Sequence, residues 1–148
     1  MENICKQTYL IGIDTGTHTG IAVWELYSQK LLLVDTMSIT KAMEAVMAYR
    51  HWGSVFLYIE DARLRKWFGN TGRERLKGAG SVCRDASIWE DWCGEQDIPY
   101  ELVAPRDNRT KLSALQFRNL TGWLARTTEH GRDAAMLVYG MSGMSKGK

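Results

Sequence analysis

Four acidic or imidazole side chains stand far apart in this chain, each next to an apolar run. Asp14 lies in YLIGIDTGTHTGIAVWE, Glu60 in VFLYIED, and His130 and Asp133 in HGRDAAMLVYG. Carboxylate oxygens are the ligands that hard divalent cations select. A site that hydrolyses a phosphodiester with two such cations needs several carboxylates converging on one point. Taken singly, each residue has an ordinary reading. Asp14 suits the start of a turn. Glu60 or Asp61 suits a solvated strand end, and His130 and Asp133 suit the first turn of a helix, where an acid meets the positive end of the dipole. Together they call for a fold that brings distant chain ends to one place.

The elements that must do this are visible in the patterning. Residues 8–13 form a buried-strand run ending at Asp14, residues 20–26 (GIAVWEL) a second strand, and residues 30–36 (KLLLVDT) a third. The intervening TGTHT has the Gly and Thr content of a hairpin loop. Thr40 is placed to cap a helix with Met43, Val46, Met47 and Tyr49 at helical spacing. Residues 55–60 (VFLYIE) make a fourth strand. A basic stretch with Gly69, Gly72, Gly78 and Gly80 reads as a mobile loop or short helical excursion. A helix is expected from Ser81, with Val82, Ala86, Trp89, Trp92, Cys93 and Gln96 on one face and Arg84, Asp85, Glu90, Asp91 and Glu95 largely elsewhere. Residues 99–104 (PYELVA) give a fifth strand. A short helix follows near 110–119 and a last one near 131–141, leaving a disordered tail over 142–148. The order βββ-α-β-α-β-α-α implies an α/β fold: one domain over residues 1–141 with a mixed sheet and helices on both faces.

Strand alternation sends Glu60 and Asp61 to opposite faces, so one of them at most shares a site with Asp14. His130 and Asp133 are three apart and face one way from one helical turn. Neighbouring parallel strands expose their C-terminal ends on one edge, where α/β proteins place their sites.

Composition sets the outer bounds. The chain has 148 residues, 45% hydrophobic and 24% charged, which is ordinary for a soluble globular domain. There is no signal-peptide pattern and no apolar run long enough for a membrane span, so a cytoplasmic protein is expected. Cys5, Cys83 and Cys93 lack CxxC spacing and read as reduced thiols. No Ser–His–Asp or Cys–His set competes with the acids. The net charge of +2 conceals segregation. Residues 63–77 carry a net +5, residues 78–103 a net −5, and residues 104–132 a net +4. Basic segments of this kind fit a polyanionic partner.

IDTGTHTG, VFLYIED and HGRDAA, in this order and spacing, resemble the RuvC branch of the RNase H-like nucleases, the Holliday junction resolvases. KLSALQFRNLTGW before EHGRDAAMLV is similar to short phage-type members. The resemblance spans nearly the whole chain. It implies an RNase H-like fold whose five-stranded sheet has its first three strands antiparallel. It implies that Asp14 bridges metals, that Glu60 rather than Asp61 is the strand-end ligand, and that Asp133 is the acid of the last helix. His130 falls where the family has an acid or a histidine, which leaves metal ligation, leaving-group stabilisation and water positioning open.

The implied reaction is hydrolysis of a DNA phosphodiester with two Mg²⁺ or Mn²⁺ ions about 3.5–4 Å apart, with no small-molecule cofactor and no protein nucleophile. The implied partner is a four-way or branched DNA junction, bound by a homodimer whose two-fold symmetry matches two symmetric cuts. Arg63, Arg65, Lys66, Arg73, Arg75 and Lys77 would contact phosphates, making affinity steeply salt-dependent. Arg106, Arg109 and Lys111 form a second contact group. Trp67 and Phe68 suit a stacking wedge at the junction centre, or core packing. Trp89 and Trp92 suit packing in the core or at a dimer interface.

Three other functions are compatible with parts of this pattern. A broader RNase H-like nuclease acting on RNA or on branched DNA would use the same acids. An actin-like or sugar-kinase-like ATP-binding protein shares the D-x-G-T signature of Asp14 to Thr17, but needs a second domain and a second phosphate loop. A non-catalytic junction binder would gain nothing from clustered carboxylates that repel phosphate.

Overall fold

A computed structural model of the protein describes residues 7–64, 72–105 and 111–142, without side chains over residues 72–82. The chain opens with a meander of β1 (Gln7–Asp14), β2 (Thr19–Glu25) and β3 (Lys30–Met37). Helix α1 (Ile39–Trp52), strand β4 (Gly53–Glu60), helix α2 (Gly72–Gln96) and strand β5 (Tyr100–Val103) follow. The short helices α3 (Ala114–Thr121) and α4 (Glu129–Met136) complete the order. It is the order expected from the patterning. Among the described residues the five strands form one mixed sheet in the order β3-β2-β1-β4-β5. β2 is antiparallel to β1 and β3, whereas β4 runs parallel to both β1 and β5. No helix of the described residues is long and apolar enough to cross a membrane.

The sheet is apolar on both faces because both are covered. Tyr9, Ile11, Ile13, Ile21, Val23, Val55, Leu57 and Ile59 point to one side. There they meet Ala42 and Val46 of α1 and Trp89 and Cys93 of α2. Leu10, Ala22, Trp24 and Val34 point to the other side, packed with Phe117 of α3, Ala134 and Ala135 of α4, and Val138. β2 is buried along its whole length, as a central strand between two helical layers requires. Trp89 is fully buried in the core and meets Trp92 edge-on at 5.5 Å.

Four local expectations change. Ser38, not Thr40, caps α1: its backbone is extended and its hydroxyl accepts from the Lys41 N–H, which leaves Thr40 inside the first turn. α2 begins at Gly72 rather than Ser81. Arg73, Glu74, Arg75, Leu76 and Lys77 are good helix formers, and extending a helix already anchored by Trp89 and Cys93 costs far less than nucleating one. Asp85, expected on the outer face, is buried, being one turn from Trp89 on the same stripe. The last helix starts two residues early, at Glu129, and ends at Met136. Its C-terminus tightens into three-residue turns, with Leu137 and Val138 N–H donating to Ala134 and Ala135 carbonyls.

Candidate active site

The parallel pairing of β1 with β4 aligns Ile13 with Ile59. Asp14 and Glu60 are the next residue on each strand, so both carboxylates leave the sheet at the same edge and on the same face. The Thr15 hydroxyl ties the two strand ends together by donating to the Glu60 carbonyl at 3.1 Å. Asp61, one residue on, faces the other way and is almost fully buried.

α4 brings the remaining members. It lies across β1 and β2 on two glycines. A Cβ at Gly12 would stand 2.1 Å from the Ala134 carbonyl oxygen, and one at Gly20 would stand 2.0 Å from that of His130. Gly20 pairs with Asp14 across the β1–β2 ladder, so the start of α4 is set directly beside Asp14. Thr128 caps the helix, its hydroxyl accepting from Gly131 N–H at 3.0 Å and bonding to Thr36 of β3. His130 Nδ1 lies 2.9 Å from Asp14 Oδ2. Ligand atoms of Asp14, His130 and Asp133 all fall within 4.8 Å of one another. Glu60 borders the same cleft, of about 550 Å³.

The electrostatics are those of carboxylates crowded without enough positive charge. Burial raises the Glu60 carboxyl to about 7, helped by the Asp14 charge and a side-chain hydrogen bond with Asp14. Burial also raises Asp133, with Lys111 opposing the shift. Lys111 Nζ stands 3.4 Å from Asp133 Oδ2, and that carboxylate raises the Lys111 pKa. No protein-family model matches the chain, and no curated protein matches it. The assignment of chemistry therefore rests on this geometry. Three oxygen-rich positions plus one imidazole fit a hard divalent cation, and a bound cation would offset both the burial and the Asp14 charge that raise Glu60.

The raised Glu60 carboxyl links folding to pH. Its folded-state pKa lies above its ordinary value of 4.5, so between those two values the folded chain holds a proton that the unfolded chain has released. Stability of the metal-free protein therefore falls as pH rises from about 4.5 to about 7. Mg²⁺ is expected to raise the melting temperature more at pH 8 than at pH 5.5. Thermal unfolding at both pH values, with MgCl₂ or EDTA, checks this. Equal Mg²⁺ shifts at the two pH values would separate Glu60 from the cation site.

Of the expected phosphate contacts, Lys111 alone borders the cleft among the described side chains. Arg132 puts it there: Nε donates to the Leu112 carbonyl at 2.8 Å and Nη1 to the Thr127 hydroxyl at 2.9 Å, pinning the chain beside Lys111 to α4. Arg63 departs from the sequence expectation. Its guanidinium is taken up by Asp61 at 2.7 Å and Glu90 at 2.8 Å, with Ser87 as a further acceptor. The burial of Asp61 demands that partner. Arg63→Gln is expected to cost about 2 kcal/mol through the unsatisfied Asp61 carboxylate. Chemical denaturation reads the loss, and an unchanged midpoint would show that Asp61 does not depend on that pair.

Arg65, Lys66, Trp67, Phe68, Arg106 and Arg109 lie outside the described residues, as do residues 143–148 of the expected tail. Arg73, Arg75 and Lys77 lie on α2 where side chains are not described. Sequence reasoning missed Thr15, Gly12 and Gly20, which position the acids, Arg132, which holds the chain beside Lys111 to α4, and Tyr58, Glu101 and Met136, which line the cleft. Tyr58 was accessible to it: two residues before Glu60 on a strand means the same face.

Proposed function

We propose that this chain is a structure-selective endodeoxyribonuclease of the RuvC-like, RNase H-like type, cutting four-way DNA junctions by metal-assisted phosphodiester hydrolysis. The observation that carries the reading is the convergence of Asp14, His130 and Asp133 within 4.8 Å, with Glu60 on the same cleft. The mixed sheet with an antiparallel opening meander, the strand-end position of both first carboxylates, and the basic segments of the sequence support it.

In this reading Asp14, Glu60 and Asp133 hold Mg²⁺ or Mn²⁺, with His130 as a fourth ligand or as the group that orients the Asp14 carboxylate. Bound divalent cations supply a water nucleophile at neutral pH and neutralise charge on the leaving oxygen. The Asp14 contact fixes the His130 ring through Nδ1, which leaves Nε2 as the nitrogen that can act on substrate or ligand. Lys111, at the mouth of the cleft, offers its ammonium to a phosphate of the strand being cut. Two copies bound to one junction would place two such clefts on opposite strands.

The test is cleavage of a synthetic four-way junction beside linear duplex and an RNA–DNA hybrid, with Mg²⁺ or EDTA. Paired, metal-dependent nicks confined to the junction are expected. Cutting of the hybrid or of every branched form would widen the activity to a general nuclease. Tight junction binding without cleavage under any metal would overturn the catalytic reading.

A further inference from the structure

The cleft is larger than its acidic end. Asp14, Glu60, His130 and Asp133 occupy one part of it. The rest is lined by Tyr58, Glu101 and Val103 from the sheet and by Met136, Leu137 and Met141 from α4 and the turns after it. The topology explains why. α4 is seated on β1 and β2 through Gly12 and Gly20, so it leaves the same face of β4 and β5 to the cleft. Tyr58 pairs with Glu101, and Glu60 with Val103, across the parallel β4–β5 ladder. Alternation puts these four side chains on one face, with Tyr58 and Glu101 farther from the sheet edge that bears the acids.

This second part is a built surface. The Met141 carbonyl accepts from Trp24 Nε1 at 2.9 Å and from Gln29 Nε2 at 2.8 Å, which fixes the far end of the floor. Gln29 makes its bond from a left-handed backbone, φ 58°, at the end of the β2–β3 turn, where its own N–H donates to the Glu25 carbonyl at 2.9 Å. Phe56 backs the Tyr58 ring at 5.0 Å between centroids.

A phosphate with its cations belongs at the acidic end and has no use for methionine and leucine. What fits the remainder is a flat, largely apolar body with a polar edge. Thioether and aliphatic side chains adapt to such a body, and an aromatic ring such as that of Tyr58 offers a base a partner for stacking or edge contact. The geometry points to a subsite for one unstacked nucleobase adjacent to the scissile phosphate, with Glu101 reading its hydrogen-bond edge. This inference rests on the nuclease reading above. An ionised carboxylate only accepts, so Glu101 selects a base edge with adjacent donors. Guanine, with N1–H and N2–H side by side, answers that best. Thymine, with one donor between two carbonyls, answers it worst. Junction selectivity follows from the same feature, because bases at a crossover are the least costly to unstack.

The experiment uses the full chain and four-way junctions of one architecture, varying the nucleotides that flank the cut. Wild type is expected to prefer guanine at one flanking position by about tenfold over thymine, the size of one good carboxylate–base contact. Replacing that guanine by hypoxanthine, which lacks the 2-amino group, is expected to remove most of the preference. Glu101→Gln is expected to bring the guanine-to-thymine ratio within about twofold, since the amide offers one acceptor in place of two. Met136→Trp, which fills the floor, is a second and independent variant. In EDTA, a junction carrying 2-aminopurine at that position should brighten on binding wild type and not on binding Met136→Trp. Cleavage without base preference, or a preference that survives both variants, would overturn the subsite and leave the nuclease standing. If no junction is cut with Mg²⁺ or Mn²⁺, the nuclease reading fails, and the 2-aminopurine signal decides the subsite alone. A signal lost in Met136→Trp supports it, and no signal overturns it.

Discussion

If the chain is the proposed nuclease, Asp14→Asn is expected to abolish junction cleavage and to leave junction binding intact. Asp14 contacts His130 at 2.9 Å and shares ligand distance with Asp133. Its charge is also one of the causes that raise Glu60. Asparagine keeps the shape of the side chain and removes the charge and one acceptor oxygen. Groups that act as a unit lose nearly all function when one is removed, so the rate should fall by roughly 10³–10⁶. Binding should hold or tighten, since one negative charge near the phosphates has gone. Single-turnover cleavage and a mobility-shift titration in EDTA read the two quantities. A second consequence tells the electrostatic role from a purely structural one. Without the Asp14 charge the Glu60 carboxyl ionises at lower pH, so the fall in metal-free stability toward neutral pH should become shallower. Retained cleavage would remove Asp14 from the mechanism.

Gly20→Ala should cost about 3 kcal/mol, the upper part of the range for overpacking. The added Cβ meets the His130 carbonyl oxygen at 2.0 Å and its carbon at 2.4 Å. Both are backbone atoms in the first turn of α4, so no side-chain rotation relieves the clash and the helix must lift. Lifting it parts His130 from Asp14 and carries Asp133 away from the strand ends. Activity should therefore fall further than the loss of folded protein explains. Gly94→Ala is the control. Its Cβ would meet nothing within 4 Å, and alanine in a helix interior is worth about 0.5–1 kcal/mol over glycine. Urea denaturation and cleavage of the three proteins separate these effects. A Gly20→Ala protein within 0.5 kcal/mol of wild type and fully active would show that α4 does not need that close approach.

Much of this arrangement is legible in the sequence, where local spacing carries it. The apolar runs before Asp14 and Glu60 specify strands that end in carboxylates, because short continuous apolar runs rich in β-branched and aromatic residues pair as buried strands. The spacing of His130 and Asp133 places them on one helical turn. Alternation separates Glu60 from Asp61, and the structure puts one at the cleft and the other in a buried ion pair. The element order, and with it the mixed sheet, follows from the same local signals.

What only the tertiary structure decided depends on partners remote in the chain. Arg63 belongs by composition to a basic segment, yet its charge is spent on Asp61 and Glu90, the second lying 27 residues away. The glycine-rich stretch after Gly72 is helical because the helix is anchored farther on, through Trp89 and Cys93. Gly12 and Gly20 look like ordinary strand glycines until α4 is laid on them. The helix covers β1 and β2 and, with the turns after it, brings Met136, Leu137 and Met141 to the cleft beside the acids, a juxtaposition that no local period announces. Periodicity records which way a side chain points from its own element. Which element it meets is set by strand pairing and by where the backbone is bare enough for a helix to approach. That is why the identity of the acids could be read from the sequence, whereas their convergence with His130 and the shape of the cleft around them came from the packing of α4 on the sheet.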